Sequence, residues 1–147
     1  MKIAVASDHA GFALKEEIKK YLLSGGFEAV DLGTDSEEPS DYPVFGEKCA
    51  KAVASGLADR GIAVCGTGIG ISIAANKIKG IRCALCADTE TAALARKHND
   101  ANMLALGGRT TERDEALKII EAWLYTEFEK GRHQKRVDML NEMGQNI

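Results

Sequence analysis

The sequence predicts an α/β fold, a three-layer α/β/α sandwich on a five-stranded parallel, Rossmann-like sheet. Short apolar segments without polar alternation recur along the 147 residues, a pattern typical of strands buried on both faces. Amphipathic helical patterns separate these segments, so strand and helix alternate five times, as crossover connections in a parallel sheet require. The length suits one domain over residues 1–147.

Five segments are predicted to form the strands, at residues 3–6, 28–32, 62–65, 83–87 and 103–106. The segment at 28–32 is the weakest of them. The segment at 83–87 contains a C-x-x-C string, Cys83 to Cys86. Because an odd offset in a strand points the two side chains to opposite faces, core packing is favoured over a zinc or redox site.

Two helices are predicted from apolar stripes with four-residue spacing. The first spans residues 12–23 and ends at Gly25-Gly26, and the second spans 43–57. The stripes are Leu14, Ile18 and Leu22 in the first helix and Phe45, Cys49 and Val53 in the second.

Four more helices follow along the chain. One begins near Gly70, and the next begins after Asp88, its predicted N-cap. Thr111 is the predicted cap of a fifth helix, and a last helix runs from beyond Gly131 to about Met143. The fifth helix has an apolar stripe at Leu117, Ile120 and Leu124.

Composition excludes several classes of protein. The net charge of −3, with 45% hydrophobic and 28% charged residues, is that of a globular protein without the basic surface of a nucleic-acid binder. The apolar runs are too short to span a membrane, and residues 1–3 lead directly into a strand. Four cysteines in a chain of this size are expected to be reduced thiols. We therefore expect a cytoplasmic protein.

Polar residues cluster next to the predicted strands. Ligands of open parallel sheets bind outside the carboxyl ends of the strands, so these residues are the candidates for function. We expect them to converge on one pocket. They are Ser7, Asp8 and His9 after the first strand, Cys65 ending the third, Asp88 after the fourth, and Gly107, Gly108 and Arg109 at the fifth, with His98, Asn99 and Asp100 just before the fifth.

The turn from Gly66 through Thr67, Gly68 and Ile69 to Gly70 suits an anion. Its glycines let the backbone approach a ligand, and the positive end of a helix lies behind it. It is neither the dinucleotide fingerprint nor a P-loop, since the third glycine and the Gly-Lys-Ser/Thr run are missing. A simple tight connection from strand to helix explains the turn equally well.

Cys65 stands immediately before this turn, where the helix N-terminus would favour a thiolate. A thiolate there could act as a base or a nucleophile. A buried thiol that only packs is the competing interpretation.

Arg132 and Arg136 are four residues apart on the last predicted helix and so share a face. Two adjacent guanidinium groups can clamp a phosphate, although a solvated basic turn has the same spacing. The same stripe continues into Met139, Leu140 and Met143, a face suited to docking on protein. The three histidines, at 9, 98 and 133, have no metal-ligand spacing, so neither a metal nor another cofactor is predicted.

Five motifs together resemble type B ribose-5-phosphate isomerase of the ribose/galactose isomerase superfamily. The resemblance runs from residue 1 to about 143. The motifs are Ser7-Asp8-His9-Ala10-Gly11, Asp41-Tyr42-Pro43, Cys65 through Lys77, His98 through Asn102, and Gly131-Arg132-His133 with Arg136.

The resemblance implies a metal-free aldose-ketose isomerase that acts through a cis-enediolate on ribose 5-phosphate. It implies the base role for Cys65 and sugar-ring opening by His98, assisted by Asp8 and Thr67. Amides of residues 66–70 would stabilise the growing oxyanion. The phosphate would be bound by His9, Arg132 and Arg136, with Asn99 and Arg109 completing the substrate contacts.

Some relatives have a glutamate base at the position of Ile71, so this chain resembles the cysteine-dependent branch. The resemblance also implies a strand order of 2-1-3-5-4 and a homodimer, or a tetramer, whose sites combine loops from two subunits. The half-apolar last helix agrees with docking on a partner.

Three alternatives stay open. An isomerase of allose 6-phosphate or galactose 6-phosphate could differ only in a few side chains of the loop at 33–42, which is either a solvated connection or a lid. A noncatalytic phosphosugar sensor would have no use for a thiol and a histidine. A nucleotide or flavin domain would need a phosphate-binding turn after the first strand, where Asp8 and His9 stand.

Overall fold

The computed structural model describes residues 1–146. Five parallel strands form one sheet in the order β2-β1-β3-β5-β4, which confirms the order implied by the resemblance. The strands are β1 (Lys2–Ser7), β2 (Glu28–Asp31), β3 (Arg60–Cys65), β4 (Cys83–Leu85) and β5 (Met103–Gly107).

Within the described residues, six α-helices cover the sheet, and two 3₁₀ turns precede α1 and α6. The helices are α1 (Phe12–Ser24), α2 (Tyr42–Ala54), α3 (Ile69–Asn76), α4 (Thr89–Asn99), α5 (Arg113–Tyr125) and α6 (Gln134–Asn141). The turns are His9–Gly11 and Gly131–His133. No helix within residues 1–146 combines the length and the apolar character needed to cross a membrane.

The side chains of the central strands alternate between two cores, one on each face of the sheet. Large residues such as Ile3, Val5 and Leu104 pack with α1, α4 and α5. Small residues such as Ala4 and Ala63, together with Cys65, pack with α2 and α3. The three-layer prediction is confirmed, and the thiol of Cys65 belongs to the α2–α3 side.

The edge strands differ from the prediction of strands buried on both faces. Only β1, β3 and β5 are buried almost throughout, whereas β2 and β4 are partly exposed, and β4 ends at Leu85. Cys83 and Cys86 pack in opposite cores, as predicted, and burial raises the pKa of both thiols.

Two predicted helix ends need correction. Thr111 is not the cap of α5, because Glu112 is the flanking residue, and the Glu112 carboxylate accepts no capping hydrogen bond. The last helix begins as a 3₁₀ turn and becomes α-helical at Gln134. Asp88 does cap α4, since its carboxylate accepts the Thr91 N–H at 2.7 Å.

Candidate active site

A cleft of about 480 Å³ opens at the carboxyl edge of the sheet, where the strand ends predicted it. Strands β1 and β3 and the β5–α5 turn each contribute side chains to its wall. The residues that line it include Asp8, His9, Tyr42, Cys65, Thr67 and Arg109. A larger groove of about 670 Å³ lies beside it between α1 and the start of α5, but its walls contain neither a thiol nor a histidine.

Cys65 lies at the bottom of the cleft, 4% exposed. Its sulfur accepts a hydrogen bond from the Gly68 N–H at 3.2 Å. Because β3 ends at this residue and α3 begins four residues later, the chain folds tightly back over the sulfur. The thiol therefore faces the turn and the cleft as well as the α2–α3 core.

Two glycines of the turn are required by the geometry. Gly68 has φ +79°, and a Cβ there would lie 2.6 Å from Leu85 and 2.8 Å from the Leu106 backbone. A Cβ on Gly70 would lie 2.5 Å from the ring of Tyr42. Close packing within the protein thus requires glycine at these two positions, whether or not the turn also binds a ligand.

The amides of the turn are partly occupied. The Gly68 N–H donates to Cys65, and the Ile69 N–H donates to the Thr67 hydroxyl at 3.2 Å. The N–H groups of Gly70 and Ile71 lie in the first turn of α3, where no helical carbonyl precedes them. Two of the amides expected to form the anion hole are therefore already bonded, whereas the Gly70 N–H in the first turn of α3 has no helical acceptor.

Asp8 and His9 hold the end of β1 in shape. The buried Asp8 carboxylate accepts the N–H groups of Ala10 and Gly11 at 3.0 and 3.2 Å. The His9 ring nitrogen Nδ1 lies 3.1 Å from the Ser40 N–H and 3.2 Å from the Ser40 carbonyl oxygen. The loop at 33–42 is thus anchored on His9 rather than free in solvent.

Arg109 supplies positive charge at the rim of the cleft. Its backbone N–H donates to the Gly66 carbonyl at 2.9 Å, and its guanidinium lies over that glycine. The side chain is exposed and makes no ion pair with any residue in the range 1–146. An anionic group in the cleft would meet this guanidinium and His9.

Four other predicted site residues lie at the opposite edge of the sheet. His98 and Asn99 end α4, just before the amino end of β5. Arg132 lies in the 3₁₀ turn beside them, and Arg136 lies one helical turn further on α6. None of the four lines the cleft that contains Cys65. The predicted site residues therefore do not converge on one pocket within a single chain.

Arg82 and Arg96 fix the turn that carries His98 and Asn99. The Arg82 guanidinium donates to the carbonyls of Asn99 and Asp100 at 3.0 and 2.9 Å, and reaches Asn141 of α6 at 2.5 Å. Arg96 donates to the Asp100 carboxylate at 2.8 Å. These bonds hold Asp100 at φ +46° and tie the end of α4 to α6.

His98, Glu129 and His133 form a cluster that the separate histidines did not predict. The two rings stack with centroids 4.4 Å apart and planes at 18°. Each Nε2 faces the same Glu129 oxygen, at 3.8 Å from His98 and 3.6 Å from His133. In the sequence, the four-residue interval between Glu129 and His133 was the signal that could have predicted this contact.

The cluster has the donor set of a metal site but an unsuitable orientation. Imidazole lone pairs lie in the ring planes, and two nearly parallel stacked planes do not meet at one ion. Desolvation, followed by the positive charge of Arg132 and the nearness of His98, lowers the pKa of His133, against an opposing effect of Glu129. His133 therefore takes up a proton less readily than an ordinary histidine.

Apolar side chains are exposed between the two edges of the molecule. Met139 and Leu140 of α6 are 56% and 42% exposed, with Met143 beyond them at 63%. Further exposed apolar residues are Ile69 and Ile73 of α3, Leu85 of β4 and Leu94 of α4. Ile71, by contrast, is fully buried between α2 and α3 and does not line the cleft.

Comparison with known proteins identifies the family of this chain. The family model described as Ribose/Galactose Isomerase matches residues 3–140. The chain belongs to the ribose/galactose isomerase family. Ribose-5-phosphate isomerase B of Escherichia coli is 49% identical over 144 residues, which cover 98% of this chain and 97% of the relative. The chain is accordingly an isomerase of the type B group.

Solved structures of relatives have the same fold. Ribose-5-phosphate isomerase B of Clostridium thermocellum is 54% identical, with a TM-score of 0.95 and coverage of 97% of this chain and 96% of that chain. The Mycoplasma genitalium enzyme, solved with bound ribulose-5-phosphate, is 43% identical, with a TM-score of 0.92 and coverage of 96% and 94%.

Proposed function

We propose that this chain interconverts ribose 5-phosphate and ribulose 5-phosphate through a cis-enediolate, with Cys65 as the base. The observation that carries the proposal is the Cys65 sulfur in the cleft, next to the glycine turn and the start of α3. Moving a proton between C2 and C1 needs one group that takes a proton and returns it to the neighbouring carbon. A relative with this fold binds ribulose-5-phosphate, which supports the choice of substrate.

The charge that develops on the substrate oxygens needs donors already in place. The N–H group of Gly70 and the side chain of Thr67 belong to residues that line the same cleft as Cys65 and can supply them. Asp8 supports the site mainly through the backbone, because its carboxylate caps the turn that carries His9.

The site is proposed to be completed by a second copy of the chain. Ring opening by His98 and phosphate binding by Arg132 and Arg136 require contact with the sugar, yet these residues lie at the far edge of the sheet. In a two-fold dimer, that edge of one subunit would face the cleft of the other. The exposed apolar residues of α3, β4, α4 and α6 are the surface such a partner would bury.

Each site would then combine Cys65, His9 and Arg109 with His98, Asn99 and the arginines of the partner subunit. The substrate phosphate would meet positive charge from both sides. The same arrangement makes the catalytic groups independent of any metal ion or other cofactor.

The test compares ribose 5-phosphate, allose 6-phosphate and galactose 6-phosphate in the presence of EDTA. We expect ribose 5-phosphate to have the highest kcat/KM, EDTA to have no effect, and Cys65→Ala to lose activity by about 10²-fold or more. Cys86→Ala is the matched control, because it removes a thiol buried in the other core. Retained activity in Cys65→Ala would exclude the base role, and inactivation by EDTA would exclude the metal-free mechanism.

A further inference from the structure

The Glu129 carboxylate is the acid nearest to both histidines of the stacked pair. One oxygen of Glu129 lies 3.8 Å from Nε2 of His98 and 3.6 Å from Nε2 of His133. The backbone N–H of Glu129 donates to the Lys97 carbonyl at 3.1 Å, one residue before His98. The acid is therefore attached to the same helix end as the histidine it faces.

The segment that carries Glu129 has an uncommon backbone. Lys130 has φ +61° and Gly131 has φ +54°, so two successive residues occupy the left-handed region. A non-glycine residue at such a φ costs free energy that the surrounding contacts must offset. The turn brings Glu129 and His133 to opposite sides of one bend, where both face His98.

We infer that Glu129 is a positioning residue for His98, holding its Nε2 so that Nδ1 is the nitrogen presented to the sugar. The inference rests on the proposed ring-opening role of His98. No hydrogen bond to His98 Nδ1 arises from residues 1–146, and the side chain is 40% exposed. Ring opening needs a group that alternates between acid and base, and a carboxylate near Nε2 favours the tautomer that carries its proton on that nitrogen.

His133 completes the arrangement from the other side. It is 10% exposed in its side chain and packs flat against His98, so it limits rotation of the ring. The charged groups that face the pair are Glu129, Arg132 and Arg136. The two arginines and the stacked ring leave Glu129 as the acid that faces both imidazoles.

The substrates offer a test that separates ring opening from proton transfer at carbon. Ribose 5-phosphate is a closed furanose and must be opened. Ribulose 5-phosphate is open-chain, because its C5 oxygen carries the phosphate and cannot close a furanose ring. Exchange of the C1 hydrogen of ribulose 5-phosphate in D₂O, followed by NMR, therefore needs the base but no ring opening.

In Glu129→Gln we expect ribose 5-phosphate isomerisation to slow on the order of tenfold, with hydrogen exchange into ribulose 5-phosphate within about twofold of wild type. Glu127→Gln, the same change at an exposed acid two residues away, should alter neither rate. Equal loss of both rates in Glu129→Gln, or loss of neither, would overturn the inference. A wild-type enzyme that does not isomerise ribose 5-phosphate would instead refute the proposed function.

A second measurement needs no variant. The ¹⁵N spectrum of the side chain of His98 in wild type should show neutral imidazole protonated at Nε2, assigned against His9 and His133. Protonation at Nδ1 would overturn the inference even if Glu129→Gln failed to fold.

Discussion

Co-expression of two inactive variants, Cys65→Ala and His98→Gln, is expected to restore activity. Strand β5 separates the two edges of the sheet, and its five residues span roughly 15 Å at the usual rise. Proton transfer requires contact at about 3 Å. Within one chain the thiol and the histidine therefore cannot serve the same sugar, whereas two chains can bring them together.

The magnitude follows from counting sites in a two-fold dimer. Random pairing makes about half of the dimers mixed, and each mixed dimer has one site with both lesions and one site with neither. The mixture should therefore reach about a quarter of the wild-type activity per chain, and mixed dimers purified through two affinity tags should reach about half.

The assay is ribose 5-phosphate isomerisation by co-expressed chains, with each homodimer measured alone. Cys65→Ala paired with Arg109→Ala is the control, since both residues lie on the same edge and no mixed dimer then has an intact site. Activity of the Cys65→Ala and His98→Gln mixture no higher than that of its separate homodimers would refute the two-subunit site.

Two further predictions concern stability. Gly68→Ala should lower the free energy of unfolding in urea by about 1–3 kcal/mol, because Gly68 has a left-handed φ and an added Cβ would lie too close to Leu106. Gly66→Ala is the control: its added Cβ meets nothing closer than 3.5 Å, so the free energy of unfolding should fall by less. Burial alone would raise the pKa of Asp31, but bonds from Lys15, Lys19 and the Gly33 N–H lower it on balance. The stability that this group contributes is present above about pH 4 and is lost as pH falls through the folded pKa. In Asp31→Asn the free energy of unfolding should therefore fall less steeply with decreasing pH in the acid range than in wild type. An unchanged acid dependence would contradict this.

Local patterns predicted most of the fold. The stripe of Leu14, Ile18 and Leu22 is buried on α1 as its spacing requires, and the apolar run before Cys65 forms the central strand. Buried positions repeat with the period of the element, so the sequence records them directly. The prediction of Thr111 as the cap was wrong because Glu112 is the residue that flanks the helix start at Arg113, an error of one residue in a run of polar candidates.

The site was less predictable because its contacts join distant parts of the chain. The bond from Ser40 to His9 spans 31 residues, and the contact of Arg82 with Asn141 spans 59. No periodicity records such pairs. The stack of His98 on His133 depends on the bend at Lys130, whose positive φ is unusual for lysine. Motif similarity identified the candidate residues, but their division between two edges required the sheet order.

Under the proposed function, the burial of Ile71 constrains how a glutamate base could replace Cys65. Ile71 is fully buried between α2 and α3, packed so closely on α2 that a Cβ added at Gly46 would lie 2.9 Å from its side chain. Glutamate introduced here alone would place a carboxylate in an apolar interior before it could serve any substrate. If Cys65 is the base as proposed, a variant with both bases would be less stable and a variant with neither would be inactive. A change of base would then require α2 and α3 to repack first, so the earliest steps on that path would alter helix packing rather than catalysis.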